Sequence, residues 1–408
     1  MPPKPRRLPR NVWVLTLTSL LTDISSEMLI NVLPLFLANV LGVRTSVIGL
    51  IEGVAETTAS LVKLYSGALS DRLGRRKRLA VLGYGFSALA KPFLYFASSW
   101  GWVLGVRFAD RVGKGIRTAP RDALLAGSVP ADRRGAAFGL HRAGDTAGAF
   151  IGLGIAALII WATQSNAVSL SRASFQWVVL ASIVPGVLGV LVLALGATEV
   201  TPPNNHQAAQ PLRLNWRGLD ARFRAFVGVM VLFTLGNSAD AFIILRGQER
   251  GLSVLGVMGM LLTFNAVYSL LSGPLGALSD RLGRARLMLG GWLLYSLIYL
   301  GFAAAQNGWQ VWLLFALYGV YYAATEGTAK ALVADLVPAE QRGTAYGLYH
   351  AAVGLAVLPA SVIAGLLWQG AGAWPGFGPA APFLFGAGLA LLAALLFRRW
   401  LLPAVAQE

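Results

Sequence analysis

Acidic and basic side chains recur in this sequence at spacings of three and four residues, inside stretches that are otherwise apolar. Asp23, Glu27 and Asn31 stand four residues apart and therefore share one face of a helix. The same step separates Asp110 from Lys114. A charge at the centre of a bilayer costs roughly 2.5–3.5 kcal/mol unless it faces a partner or a cavity. Carboxylates and amines placed in this way therefore suit ion pairing, proton exchange or the binding of a polar solute.

A matching face occurs in the second half of the chain. Tyr318 and Tyr322 are followed, at the same four-residue step, by Glu326. An offset of 208 residues places Tyr318 on Asp110 and Tyr322 on Lys114, so the face is ionic in one copy and more aromatic in the other. An aromatic and polar wall combined with an ionic one suits an amphipathic organic solute. We predict a substrate and proton pathway lined by Asp23, Glu27, Asn31, Glu56, Asp110, Arg111, Lys114, Asp145, Asp240, Tyr318, Tyr322 and Glu326.

Structural ion pairing near helix ends is the alternative explanation for these charges. It applies most to residues near one membrane face, namely Arg117, Arg121, Asp122 and Lys330. The distribution of the charges favours a functional role for the deeper ones. Apart from Arg224 and Arg398 at the ends of their spans, 19 charged residues lie inside the spans predicted below, and 15 of these are in the first half of the chain. We therefore expect the first half to carry ion coupling and the second half to recognise the shape of the substrate.

Composition identifies the kind of molecule that must position these groups. Hydrophobic residues make up 56% of the 408 residues and charged residues only 13%, whereas a soluble domain carries about 25% charge. The chain has no cysteine, which excludes disulfides and thiolate metal sites, and its three histidines leave little material for a histidine metal centre. These figures indicate a polytopic membrane protein, and we expect neither a metal site nor another cofactor.

Twelve stretches have the length of about 20 mostly apolar residues that a spanning helix needs. They predict an all-α membrane protein whose twelve transmembrane helices cover residues 12–40, 46–70, 79–99, 101–127, 136–162, 176–197, 223–247, 254–278, 287–306, 310–334, 343–368 and 381–398.

The basic residues predict the orientation of these spans. With the N-terminus in the cytoplasm, cytoplasmic segments hold 21 Lys and Arg, and external loops hold only Arg44, Arg172 and Arg250. Short cytoplasmic loops are enriched in Lys and Arg, so we expect both termini to be cytoplasmic in a plasma-membrane protein. The net charge of +16 therefore reflects topology, and we expect no nucleic-acid partner.

An internal repeat divides the chain. GALSDRLGR at 67–75 recurs at 276–284, and VPADRRGAAFGL at 129–140 recurs as VPAEQRGTAYGL at 337–348. We predict two pseudo-symmetric bundles of six helices, at 1–197 and 223–408, joined by a cytoplasmic linker at 198–222 that is rich in Pro, Asn and Gln. Parallel repeats of this kind are found in transporters that bind their substrate between the two halves.

The repeated loop also carries a family signature. The pattern G-x-x-x-D-R-x-G-R-R follows the second span, and a degenerate copy in which Ala285 replaces the last Arg follows the eighth. The residues of this predicted cytoplasmic gate motif are Gly67, Asp71, Arg72, Gly74, Arg75 and Arg76 in the first copy, and Gly276, Asp280, Arg281, Gly283 and Arg284 in the second. Over nearly its whole length the chain resembles the major facilitator superfamily, and the run 110–122 resembles a group of bacterial permeases.

The resemblance implies a transporter that works by alternating access. The gate motif would then be a latch that holds the cytoplasmic side closed; the alternative is that its arginines only anchor the topology. The run Arg111–Gly115 resembles a family motif that is tied to proton coupling. No G-x-x-x-x-G-K-[ST] loop is present, so we expect a proton gradient rather than ATP as the energy source, with sodium as an alternative coupling ion.

The predicted function is secondary active transport of a small organic solute, by a protein that we expect to be a monomer. A transport-inactive receptor or assembly protein on the same fold is one alternative. A membrane enzyme is a weaker alternative, because the sequence contains no convergent set of nucleophile, base or metal ligands. We therefore predict that the chain is not an enzyme.

Overall fold

The computed structural model describes residues 8–130, 133–164, 167–200, 219–338 and 341–400. Within these ranges the chain is helical, and its one β pairing is an isolated bridge between Ala371 and Trp374. The twelve helices are α1 Arg10–Val40, α2 Thr45–Leu73, α3 Arg76–Phe96, α4 Trp100–Gly127, α5 Arg134–Gln164, α6 Arg172–Gly196, α7 Ala221–Glu249, α8 Val254–Leu282, α9 Arg284–Ala304, α10 Gly308–Asp335, α11 Arg342–Gln369 and α12 Ala381–Trp400.

The predicted all-α fold with twelve spans is confirmed, because each predicted span coincides with one helix. The ends differ by a few residues; α6, for example, begins at Arg172 rather than 176. Nine of the helices in the described part are apolar and long enough to cross a membrane. The other three, α2, α4 and α10, have comparable lengths. Charged residues are spread along α2 and α4, whereas α10 has three near its end together with several Trp and Tyr. Of these helices, α4 and α10 each carry three of the predicted pathway residues, as does α1.

Two helices lose regular α-geometry near their middle. In α1 the regular helix stops at Ile30 and a turn at Asn31 and Val32 follows. In α7 the regular helix stops at Gly236 and resumes at Ala241. The two interruptions correspond under the 208-residue offset, so they belong to the repeat. Irregular backbone at membrane depth is tolerated where it is buried in protein or lines a cavity.

Packing divides the chain into two compact units. Unit 1 consists of Met1–Val32, Leu61–Ile159 and Ala173–Pro211, and unit 2 consists of Leu33–Ser60, Ile160–Arg172 and Leu212–Glu408. These bounds follow contacts, whereas the predicted bundles 1–197 and 223–408 and the linker 198–222 follow the repeat and stay a prediction.

Glycine residues bring the helices of unit 1 together. A Cβ atom added to Gly83 of α3 would lie 2.7 Å from the carbonyl oxygen of Gly113 on α4. In the same way, a Cβ at Gly148 or Gly152 of α5 would lie 2.5 or 2.6 Å from a backbone carbonyl of α1. Small residues permit this close approach of membrane helices. The polar residues on these faces are therefore held close to one another.

The segment Thr198–Val200 continues the packing of unit 1 beyond the end of α6. Asn11 of α1 donates from Nδ2 to the Thr198 carbonyl at 3.0 Å and accepts from the Thr198 amide at 2.9 Å. The Glu199 carboxylate accepts from the amide of Lys77 at 3.1 Å, in the first turn of α3, where negative charge is favoured. Val200 packs beside Gly127 at the end of α4.

In unit 2, the first part of α2 packs against α11 through small side chains. Thr57 donates a hydrogen bond to the carbonyl of Gly354 at 2.8 Å, and the amide of Thr45 donates to Oε1 of Gln369 at 2.9 Å. A Cβ at Gly53 would lie 2.9 Å from Cα of Leu358. These contacts run along most of the length of α11.

Candidate functional site

Buried charges of unit 1 gather where α3 crosses α4. The Ser87 hydroxyl donates a hydrogen bond to Oδ1 of Asp110, and Nε of Arg111 lies 3.7 Å from Oδ2 of Asp110. Lys91 interacts electrostatically with the same carboxylate. The three charged residues are each less than one tenth exposed. We call Ser87, Lys91, Asp110 and Arg111 the ionic cluster.

Lys91 also connects the ionic cluster to α1. Its ammonium group donates to the hydroxyls of Ser25 and Ser26, at 3.0 and 2.8 Å. Lys91 begins the 3₁₀ turn Lys91–Phe96, which contains Pro92. One side chain therefore contacts α1 and interacts with a charge on α4, while its own backbone belongs to α3.

The predicted face of α1 lies beside α5. Asn31 donates from Nδ2 to Oε2 of Glu27 at 2.8 Å, so the amide at the turn of α1 holds the neighbouring carboxylate. Asp23 is half-buried and within electrostatic reach of Glu27 and Asp145. Nδ1 of His141 lies 3.5 Å from Oδ1 of Asp145. Three carboxylates and a histidine thus come together between two helices.

Lys114 stands near the middle of α4 and its side chain is exposed. It lies within electrostatic reach of Asp23. An ammonium group at this depth is costly against lipid and far less so in a water-filled space. We therefore interpret the exposed face of α4 at Lys114 as a polar one.

The charges toward the end of α4 form local contacts. Arg121 pairs with Asp122 at 2.8 Å and donates to the hydroxyl of Ser19 at 3.3 Å. The guanidinium of Arg117 lies 4.4 Å above the centre of the Tyr84 ring, a cation–π arrangement. These contacts agree with the alternative of structural ion pairing for this part of the helix.

Glu56 of the predicted pathway belongs to the part of α2 that packs in unit 2, where it is half-buried. Asp23, Asp110 and Lys114 lie in unit 1. Within the described residues, no group of three or more potential metal ligands is found.

The interruption of α7 contains the polar centre of unit 2. Tyr295 of α9 donates to the freed carbonyl of Gly236 at 3.1 Å. Oδ1 of Asn237 accepts from the hydroxyl of Tyr318 at 3.4 Å, and Oδ1 of Asp240 accepts from the same hydroxyl at 3.4 Å. The predicted residues Asp240 and Tyr318 are therefore in contact, and the Tyr295 hydroxyl takes the place of one missing helical hydrogen bond.

An aromatic wall extends from this centre along α8 and α10. We define it as Phe264, Tyr268, Phe315, Tyr318 and Tyr322. Ring centres are 4.7 Å apart for Phe264 and Phe315, 5.6 Å for Phe315 and Tyr318, and 5.7 Å for Tyr322 with either Phe264 or Tyr268. Aromatic pairs at these separations stabilise one another by about 0.5–1.5 kcal/mol beyond their burial.

Glu326 lies at the other end of the aromatic wall from Asp240. It accepts a short hydrogen bond from the hydroxyl of Tyr268 and pairs with Lys330 of the next turn at 3.0 Å. The predicted residues Tyr318, Tyr322 and Glu326 are thus brought together with Asp240 in unit 2.

The gate motif arginines reach the next helix in both repeats. Arg76 donates to the carbonyl of Ala123 at 3.5 Å. Arg284 donates to the carbonyl of Ala331 at 3.2 Å and also to the carboxylate of Asp335. The two carbonyl contacts correspond under the 208-residue offset. Each arginine therefore joins the start of one helix to the end of the next.

These contacts correct the alignment of the two copies. The repeated letters match Arg284 with Arg75 and place Ala285 where Arg76 stands, which predicts that the second copy has lost its last arginine. In the structure Arg76 and Arg284 are the first residues of α3 and α9, and they make equivalent contacts. The second loop is one residue shorter, so the residue without a counterpart is Arg75.

The glycines of the gate motif fall into two kinds. Gly74 and Gly283 have φ of +61° and +89°, a backbone conformation that favours glycine. A Cβ on Gly67 would lie 3.4 Å from Cβ of Ala119 on α4, whereas a Cβ on Gly276 would meet nothing within 4 Å. Close approach to the neighbouring helix therefore holds for the first copy only.

The remaining gate residues are peripheral or fall outside the described side chains. Arg75, Asp280 and Arg281 are exposed. Nη2 of Arg284 lies 3.5 Å from Oδ1 of Asp280. The side chains of Asp71 and Arg72 lie outside the described part of the structure.

Sequence reasoning did not place several residues in the site that the structure brings into it. Lys91 was recognisable as a charge inside a span, but its serine partners have no periodic signal. Phe264 and Tyr268 are four residues apart on α8 and could have been found as the counterpart of the α10 face. Tyr295 became relevant only because α7 is interrupted opposite it.

Comparison with known proteins identifies the family. Residues 15–267 and 225–408 each match the sequence profile of the Major Facilitator Superfamily. The chain belongs to the major facilitator superfamily. An uncharacterised MFS-type transporter of Methanocaldococcus jannaschii is 36% identical over 397 residues, which is 96% of this chain and 95% of that protein.

Two further proteins that resemble this major facilitator are named as transporters. The multi-drug resistance efflux pump PmrA of Streptococcus pneumoniae is 24% identical over 338 residues, covering 80% of this chain and 82% of the pump. The crystal structure of the nucleoside transporter NupG aligns with a TM-score of 0.78 at 14% identity, covering 96% of this chain and all of that one. These relatives agree with the predicted fold and with the prediction that the chain is not an enzyme.

Proposed function

We propose that this protein is a secondary active transporter that moves a small organic solute across the plasma membrane by alternating access. The observation that carries the proposal is the group of buried charges in α1, α3, α4 and α5, within a chain of a transporter family. Ionisable groups inside a membrane are costly and are retained mainly where they bind or move ions. A purely structural span would not need them.

We further propose that protons drive transport. Asp23, Glu27 and Asp145 lie near one another, with His141 and Lys114 beside them. Neighbouring carboxylates repel one another when all are charged, which is the property that a proton-carrying site needs. A rearrangement that moves Lys114 toward or away from Asp23 would couple that proton to the movement of the solute.

The experiment uses the full chain in proteoliposomes that contain a pH-sensitive dye. Solutes that raise the melting temperature of the purified protein are added one at a time. A transporter coupled to protons acidifies or alkalinises the lumen when its solute is added, and Asp23→Asn removes this signal. Ligands that stabilise the protein without crossing the bilayer would instead indicate the receptor or assembly role. Transport that depends on sodium and not on pH would overturn proton coupling alone.

We also propose that both chain ends and the linker 198–222 face the cytoplasm. The excess of Lys and Arg in the loops on that side supports this orientation. Reporter enzymes fused after Arg399 and near Asn205 should be active only as cytoplasmic reporters. A periplasmic signal at either position would contradict the orientation.

A further inference from the structure

The geometry points to a binding site for an organic cation in unit 2, formed by the aromatic wall together with Asp240 and Glu326. This inference rests on the proposed function, because it names the class of solute that is moved. The ligand is a monovalent cation whose charge is attached to an aromatic or branched apolar body.

Three members of the aromatic wall are accessible. Phe264, Tyr268 and Tyr322 are only partly buried, while Tyr318 is 1% exposed and supports them from behind. Tyr322 meets the other two rings edge-on, at 81° and 89°. Phe264 and Tyr268 are parallel to each other, with ring centres 6.2 Å apart, and an aromatic face attracts a cation through its quadrupole.

A carboxylate lies at each end of the aromatic wall. Asp240 contacts Tyr318, and Glu326 contacts Tyr268. Both acids are half-buried within helices that we assign to the membrane. A carboxylate facing lipid would be costly. Glu326 is paired with Lys330, and we infer that Asp240 faces the ligand. Negative charge beside aromatic faces is complementary to a positive centre on an apolar body.

Hydrogen bonding within the wall argues against other ligands. The hydroxyls of Tyr318 and Tyr268 donate to Asn237 and the two acids, and Lys330 donates to Glu326. The hydroxyls of Tyr318 and Tyr268 are thus already committed to acceptors of the protein. An anion would in addition approach the carboxylate of Asp240. Because Lys330 pairs with Glu326, the wall offers ring faces and the negative charge of Asp240.

Tetraphenylphosphonium and tetraphenylborate provide a direct test, because they share one shape and have opposite charges. Their binding to the full chain in lipid nanodiscs is measured by equilibrium dialysis, with empty nanodiscs subtracted. We expect saturable binding of the phosphonium and none of the borate. Asp240→Asn should weaken phosphonium binding about tenfold or more, and Tyr322→Leu should weaken it by a similar factor.

Asp220→Asn is the matched control for Asp240→Asn. Asp220 precedes the first residue of the same helix, α7, and accepts from the amide of Arg222. Asn is an equally good residue at a helix N-cap. This variant therefore also removes one negative charge, but at the start of α7 and far from the wall. Its phosphonium affinity should equal that of the unmodified chain.

Equal binding of both ions, or unchanged phosphonium binding in both Asp240→Asn and Tyr322→Leu, would overturn the cation site. If Asp240→Asn does not fold, Tyr322→Leu and Phe264→Leu decide the question alone. The outcome is separable from that of the proposed function. Phosphonium binding without movement of any solute would retain the site and contradict transport. Accumulation of a neutral or anionic solute without phosphonium binding would retain transport and overturn the site.

Discussion

Arg76 and Arg284 occupy equivalent places in the two repeats and donate to equivalent backbone carbonyls, those of Ala123 and Ala331. Arg284 also pairs with the carboxylate of Asp335. The residue at the corresponding place in the first repeat is Gly127. The space beside Gly127 and Arg76 is taken by Val200, so the two copies stabilise the same helix junction in different ways.

We expect Arg76→Ala and Arg284→Ala each to slow transport strongly without reducing insertion into the membrane. Each change removes the side chain that joins the start of one helix to the end of the next. Arg284→Ala removes the ion pair with Asp335 as well as the contact with the Ala331 carbonyl. Initial rates in proteoliposomes and the amount of protein in the membrane fraction are the two measurements.

Arg78→Ala is the control for these variants. Arg78 is exposed and lies on the same helix as Arg76, so its replacement removes an equal charge without breaking the junction. If Arg76→Ala and Arg284→Ala transport as fast as Arg78→Ala, the gate arginines serve only to anchor the topology.

Lys91 and Asp110 should behave as a coupled pair. Lys91→Met leaves the Asp110 carboxylate buried with one cation fewer, and Asp110→Asn leaves Lys91 and Arg111 without their acid. Removing one member of a buried charge pair typically costs about 3–5 kcal/mol, whereas replacing both is much milder. Thermal unfolding in detergent should therefore show the double variant to be more stable than the sum of the two single losses predicts. Additive losses would mean that the two groups act independently.

Gly148 sets the distance between α1 and α5. Gly148→Ala would place Cβ 2.5 Å from the Leu20 carbonyl and should destabilise the protein by about 1–3 kcal/mol, as overpacking does. Because Asp23 lies beside Gly148, the same change should also impair proton-driven uptake. Gly154→Ala on the same helix meets nothing within 4 Å and should be neutral or slightly stabilising. A melting temperature for Gly148→Ala equal to that of Gly154→Ala would contradict this packing.

Ion coupling and substrate recognition should separate between the two repeats. Asp23→Asn, Glu27→Gln and replacement of Arg111 should abolish accumulation driven by a proton gradient while exchange of solute for solute persists. Tyr318→Phe, Tyr322→Leu and Glu326→Gln should instead change affinity or substrate range. Uptake and counterflow are measured side by side on each variant. Full concentrative uptake by the α1 and α4 variants would show that those charges are structural.

Much of the fold was predictable because it depends on local composition. A run of apolar residues of spanning length needs no tertiary information, which is why each predicted span coincides with one helix. Helical periodicity likewise predicted that Tyr318 and Tyr322 share a face with Glu326, since residues four apart are neighbours on any helix.

Contacts between helices were less accessible to sequence reasoning. The interruption of α7 lies in a stretch without proline, and the tyrosine hydroxyl that bonds its freed carbonyl comes from α9. The partners of Lys91 are two serines on a helix that is distant in the sequence. The second gate loop is one residue shorter than the first. The sequence does not reveal this difference, because GALSDRLGR is identical in the two copies. Each of these features depends on which helices become neighbours.

The attachment of Thr198–Val200 to α1, α3 and α4 has a consequence for how the two halves of the gene can be separated. The first bundle does not finish where its last helix ends, because three residues of the connecting chain complete its packing. A fragment that stops at 197 would lack Glu199, the acceptor at the start of α3, and Thr198, one of the partners of Asn11. Fission, circular permutation or exchange of halves between relatives therefore preserves the first bundle only when the junction follows Val200.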